Sequence, residues 1–245
     1  MSQQTPPLAR ALSLAVHELR TPANVIAGYL RMLLKEQGGP LTETQQRMLG
    51  EAERACGRLT ALVEEMSELG KLEGGLLDLR ARPVNLSALV TEVAGQATEG
   101  ADRGVTLEVR LPAAPVWVMA EHDRLAGAVR SLAHAALRER GLPGVVVAAC
   151  TVTPPPAAWA VVTIGEEGLQ PRLLARAVEA APTLDEWQGG LGLSMPICRR
   201  LVGAFGGAVW WAGPERPRGA ALRLPLGDLD MPRTADTTRT PDAHS

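Results

Sequence analysis

The sequence predicts an α+β protein, in which an antiparallel helical hairpin precedes a layered domain of mixed strands and helices. Three observations predict it. Apolar residues recur at alternating steps of four and three through residues 8–33, and a similar run occupies 49–66. Gly38-Gly39-Pro40 breaks the chain between the two runs. After Pro83 the pattern changes to short β-rich runs set between helical ones.

The elements follow in order. Residues 1–7 are polar and Pro-bearing and read as a loose start. Leu8, Leu12, Ala15, Leu19, Pro22, Ile26, Tyr29 and Leu33 then mark the seam of a bundle helix. Thr42 stands three residues before Gln45, a capping-box pattern that starts a second helix. Its seam is Leu49, Ala52, Cys56, Leu59, Val63 and Met66, and Gly74-Gly75 ends it. One hairpin cannot bury both seams, so residues 8–75 predict a homodimer closed as a four-helix bundle. Residues 83–226 form the layered domain. Helices are expected at 86–93, 122–140, 171–181 and 191–205, and strands at 105–110, 116–119, 145–152, 159–164, 208–211 and 220–224. Residues 227–245 are Thr- and Asp-rich and read as a disordered tail.

Composition excludes several classes of function. A net charge of −2 gives no electrostatic footprint for nucleic acid or an anionic membrane surface. No stretch approaches the roughly 20 apolar residues that span a bilayer, and the N-terminus lacks a signal pattern. A soluble, cytoplasmic protein is expected. Cys56, Cys150 and Cys198 are too widely spaced to pair as metal ligands and read as small buried hydrophobes.

His17 carries the chemistry. Relative to the seam at Ala15, Leu19 and Pro22 it falls on the far, solvent-facing side of the helix, with Thr21 one turn on. Glu18 adjoins it. A carboxylate can hold the proton of one ring nitrogen and leave the other free to attack phosphorus. Taken alone, the same residue could be an ordinary surface histidine. Pro22 lacks an N–H and leaves the Glu18 carbonyl unpaired, which predicts a bend.

His17-Glu18-Leu19-Arg20-Thr21-Pro22 resembles the phosphoacceptor box of sensor histidine kinases. Arg58–Val63 and Leu69–Gly75 look like the second helix of that family's dimerisation and phosphotransfer domain. Pro83-Val84-Asn85-Leu86 looks like its usual approach to the ATP-binding domain. The resemblance covers roughly residues 8–226 and implies an ATPase-like α/β sandwich of the histidine-kinase type. It implies that His17 takes a phosphoryl group and exchanges it with an Asp on a response-regulator receiver domain. Glu18 is then the general base, and Thr21 holds the water that dephosphorylates the regulator.

The same resemblance implies ATP and Mg²⁺ as ligands, and there the motifs depart from the family. Gly189-Gly190-Leu191-Gly192 keeps the second Gly-rich motif, where Gly190 and Gly192 let backbone N–H groups approach phosphate. Arg138 keeps the basic position of the Asn-bearing helix. Its two Asn positions, however, fall on Ser131 and Ala135, and a methyl group cannot ligate Mg²⁺. His134 sits beside the expected position, and imidazole is a poor Mg²⁺ ligand. Ile164-Gly165-Glu166-Glu167-Gly168 stands where the family has Asp-x-Gly-x-Gly, so the adenine acceptor is either missing at Gly165 or moved to Glu166. The lid segment 171–188 is short, with Trp187 as its aromatic residue. One lost polar contact costs roughly 1–3 kcal/mol, so two would weaken ATP–Mg²⁺ by about two to four powers of ten.

The expectation is a phosphotransferase or phosphatase on a degenerate kinase scaffold, a pseudokinase in a phosphorelay, with no metal site or cofactor assigned as certain. An active but divergent histidine kinase and a non-catalytic regulator-docking module are the alternatives. Input would come from a separate sensor protein, or the chain is a fragment. Exposed positions near His17, such as Asn24 and Gly28, would set the choice of regulator.

Overall fold

The computed structural model describes residues 7–98, 100–155, 158–179, 192–213 and 219–227. Two long helices open the chain, α1 (Pro7–Leu34) and α2 (Glu43–Glu73), packed against each other as a hairpin. The capping box is present. Thr42 Oγ1 accepts from Gln45 N at 3.3 Å, and Thr42 N donates to Gln45 Oε1 at 2.9 Å. Pro22 lies inside α1, which continues through it. Pro7 already belongs to the helix, so the loose start read from the sequence is shorter by that residue.

On α2 the predicted seam residues Cys56 and Val63 are buried, whereas on α1 the seam inside the hairpin is not the predicted one. Ala9, Val16 and Ala23 are the buried residues of α1, seven residues apart, and Cys56, Val63, Leu69 and Gly70 are those of α2. The Cys56 thiol donates to the Ala23 carbonyl at 3.5 Å. A Cβ on Gly70 would meet the Leu12 side chain at 3.3 Å. Small residues let the two backbones approach closely. The predicted stripe lies beside this seam, and Leu8, Leu19, Ile26, Tyr29 and Leu33 are exposed, Tyr29 by 63%. Leu59 of α2 is exposed with them.

The layered domain follows a linker. In order it contains β1 (Arg82–Asn85), α3 (Leu86–Gly95), β2 (Val105–Arg110), β3 (Trp117–Ala120), α4 (His122–Glu139), β4 (Gly144–Val152), β5 (Trp159–Gly165), α5 (Gln170–Ala175), α6 (Ser194–Ala204), β6 (Ala208–Trp211) and β7 (Gly219–Pro225). The main sheet runs β2-β4-β5-β7-β6, with β2 and β4 parallel and every other pair antiparallel. β1 and β3 form a separate antiparallel pair. Helices α3, α4 and α6 cover one face and bury Leu86, Leu89, Leu125, Leu132, Val162 and Leu222. α5 and the turn after it cover the other face, where Leu173 and Ala177 meet Val161, Trp210 and Ala221. The helix expected at 171–181 is therefore α5 plus a 3₁₀ turn, Arg176–Val178.

The hairpin and the layered domain touch along α2 and α6. Leu69 packs with Ile197 and Leu201, joined by Leu12, Leu72 and Leu79. Three carboxylates of α2 add polar ties. Ser194 Oγ donates to Glu65 Oε1 at 2.6 Å, Arg124 Nη1 donates to Glu68 Oε1 at 2.5 Å, and Arg200 pairs with Glu73. Among the described residues, no helix is long and apolar enough to cross a membrane. The expected tail beyond Gly227 lies outside the described residues.

Candidate functional site

The His17–Pro22 motif sits on an open face of α1. About 200° of helix separates His17 from half-buried Ala15 of the predicted stripe, and about 100° separates it from buried Val16. Its side chain is 84% exposed and that of Glu18 is 72% exposed. His17 Nδ1 lies 3.5 Å from Glu18 Oε1, at the outer edge of hydrogen bonding, and the tautomer decides which group donates. With Nδ1 turned to the carboxylate, Nε2 faces solvent. Thr21 is exposed one turn further along. An exposed imidazole steadied by a neighbouring carboxylate can act as a nucleophile toward an incoming phosphoryl group.

A cleft of about 890 Å³ lies between the hairpin and the α4–α6 layer. Arg20 brings the His17 helix to its wall, opposite Ser131, His134 and Ser194. Lys71, Glu64 and Glu68 give it mixed charge. Hairpin and second domain thus share one concave surface.

On α4 the positions singled out in the sequence diverge in exposure. Ala135 is 1% exposed, with its methyl in the main core. Ser131 turns its hydroxyl back along the helix, where Oγ donates to Gly127 O at 3.0 Å. His134 and Arg138 are exposed and lie i, i+4 on one face. Gly192 adopts φ +58°, a backbone suited to glycine, directly before α6. Gly190 and Trp187 lie outside the described residues. Among the described residues, no group of His, Cys, Asp or Glu is arranged to hold a metal ion. Ala135 presents a buried methyl group, which cannot ligate Mg²⁺.

The loop after β5 has its carboxylates engaged. Glu166 Oε1 lies 3.0 Å from Arg140 Nη1. Glu167 Oε2 lies 2.7 Å from Arg110 Nη1, and this hydrogen bond holds the Glu167 carboxyl below its ordinary range. Glu166 is thus the partner of an arginine. Elsewhere, burial pushes the Cys150 thiol up to about 11 and the Cys198 thiol up to about 12, as inert core cysteines behave.

Comparison with known proteins bears directly on the hairpin. A family model described as the His Kinase A (phospho-acceptor) domain matches residues 8–75. Over 230 residues the chain is 30% identical to the sensor histidine kinase TrcS of Mycobacterium tuberculosis, covering 90% of this chain and 44% of TrcS. The hairpin belongs to the His Kinase A (phospho-acceptor) domain family, and the chain as a whole is similar to sensor histidine kinases. The signal transduction histidine-protein kinase BarA of Escherichia coli is 29% identical over 203 residues, 79% of this chain and 22% of BarA. The chain spans less than half the length of these curated relatives. Its fold is shared with full-length ShkA, crystallised in complex with AMPPNP (TM-score 0.64, 21% identity, 89% of this chain and 46% of that one). It is shared also with the Acinetobacter baumannii histidine kinase AdeS (TM-score 0.56, 17% identity, 86% of this chain and 98% of that one).

Two features were not read from the sequence. Glu65, Glu68 and Glu73 dock the second domain, although their spacing marks only a polar face of α2. Arg140 reaches Glu166 across the α4–β4 turn, and no periodicity signals that pairing.

Proposed function

We propose that this chain carries a phosphoryl group on His17 and exchanges it with an Asp of a response-regulator receiver domain, while its own nucleotide site has decayed. One contrast carries the reading: His17 and Glu18 are open to a protein partner, whereas Ala135 is buried and Glu166 is paired with Arg140. Glu18 takes the proton of one ring nitrogen, so the other attacks phosphorus with its lone pair. Thr21, one turn along the same face, positions the water that hydrolyses the regulator's phosphoaspartate. Phosphoryl transfer depends on metal neutralisation of developing charge, and Ala135 offers Mg²⁺ no oxygen ligand. Arg138, Gly190 and Gly192 are the remaining positions suited to phosphate contact.

The active unit is a homodimer. The stripe of Leu8, Leu19, Ile26, Tyr29 and Leu33, with Leu59, is apolar and uncovered in the single chain. A second hairpin would bury it as a four-helix bundle. The chain then comprises a dimerisation and phosphotransfer hairpin at 8–75 and an ATP-binding-like domain at 83–226.

The test uses purified chain and two phosphoryl sources. Radiolabelled ATP with Mg²⁺ should leave the chain unlabelled, and a phosphorylated receiver domain should label it. Acid-labile label from ATP alone would establish a kinase and overturn the decayed-site reading.

A further inference from the structure

The helical hydroxyls of Thr60, Thr91 and Ser131 bond back onto their own helices. Thr60 Oγ1 donates to Cys56 O at 3.1 Å, Thr91 Oγ1 to Ser87 O at 3.1 Å and Ser131 Oγ to Gly127 O at 3.0 Å. Thr21 is helical as well, yet its Oγ1 makes no such bond among the described residues. A helix places two carbonyls within reach of that hydroxyl, those of His17 and Glu18. In α1 the Thr21 amide takes the first. No amide takes the second, because the residue four positions on is Pro22.

Proline inside a helix costs that hydrogen bond, and its ring crowds the carbonyl four residues back. No burial within the single chain offsets this, since Glu18, Thr21 and Pro22 are all exposed. The helix nevertheless continues through Pro22 to Leu34. The outcome is an open main-chain acceptor beside an open hydroxyl, both within one turn of the His17 imidazole.

We propose that the Glu18 main-chain carbonyl and the Thr21 hydroxyl together seat the hydrolytic water, and that Pro22 is the positioning residue that keeps this carbonyl open. The inference rests on the reading that a phosphorylated receiver meets His17 and is dephosphorylated there. A single acceptor leaves a water free to rotate. Two acceptors take both of its hydrogens and leave an oxygen lone pair directed outward. That oxygen attacks phosphorus, and the bond from phosphorus to the Asp oxygen breaks. Its electron pair goes to the Asp carboxylate, and the surplus proton of the water passes to the released phosphate.

The test separates the missing N–H from the proline ring. Pro22→Ala restores an amide to the Glu18 carbonyl, and alanine is the better helix former, so α1 persists. A backbone ester at position 22, the α-hydroxy analogue of alanine introduced by stop-codon suppression, has neither ring nor N–H. Each full chain is mixed with a receiver labelled on its Asp, and label on the chain and free phosphate are followed separately. Pro22→Ala should release phosphate about tenfold more slowly than the wild type, the worth of about one hydrogen bond. Its uptake of label onto His17 should keep the wild-type rate. The ester should restore release. Unchanged release from Pro22→Ala, an equal loss in the ester, or an equal fall in labelling and release would each overturn the proposal. A wild type that takes label but releases no phosphate beyond the receiver's own rate would overturn it too. Failure of the underlying reading shows differently, as a wild type that neither takes label nor releases phosphate, and it removes the proposal with it.

Discussion

Releasing the layered domain from the hairpin is predicted to open the end of α2. Arg124→Ala with Arg200→Ala removes two of the three polar ties, those to Glu68 and Glu73. The side chains in these pairs are about a quarter to a third exposed, so solvent screening reduces each to about 1 kcal/mol. Together they amount to about 2 kcal/mol, or roughly a 30-fold rise in the opening constant. Leu69, Ile197 and Leu201 remain as an apolar contact, which keeps docking favourable but weaker. Hydrogen exchange resolved along α2 measures the effect. Amides of residues 66–73 should exchange about 30-fold faster, while those near Cys56, buried inside the hairpin, keep their protection. Unchanged exchange at 66–73 would refute the assigned role of these pairs. An equal rise along all of α2 would refute the local character of the opening.

Other outcomes follow from the same structure. Ile26→Glu with Leu33→Glu places charge on the exposed stripe and leaves the inner seam of Ala9, Val16 and Ala23 untouched. Light scattering at micromolar concentration should give a dimer for the wild type and a folded monomer for the variant. Both core thiols have raised folded-state pKa values, so ionisation favours the unfolded chain once pH passes the ordinary thiol value of 9.0. Their stabilising contribution is complete below that pH and is lost as pH rises toward about 11 for Cys150 and 12 for Cys198. Urea titrations at stepped pH should show this decline, and Cys150→Ala with Cys198→Ala should flatten it.

Much of this architecture was legible because local patterns carry it. The strands Val105–Arg110 and Ala208–Trp211 have the bounds that the β-rich runs mark, and the capping box starts α2 where Thr42 and Gln45 place it. β1 was missed because a four-residue strand containing Pro83 has little pattern of its own and exists through pairing with Trp117–Ala120. The seam of α1 was displaced because two apolar stripes share that helix. Leu, Ile and Tyr dominate the outer one, whereas small Ala9 and Ala23 form the inner one and weigh little in a hydrophobic pattern. The motif around His17 could be read because its residues are consecutive. The fate of Glu166 could not, since Arg140 reaches it from a distant part of the chain.

The account centres on His17 as the phosphoryl carrier, and transfer from a phosphorylated receiver domain tests that most directly. Wild-type chain and His17→Ala are each mixed with a receiver labelled on its Asp, and label on the chain is followed with time. Acid-labile label on the wild type, mapping to the peptide with His17 and absent from His17→Ala, is the predicted result. Equal labelling of both chains would contradict it.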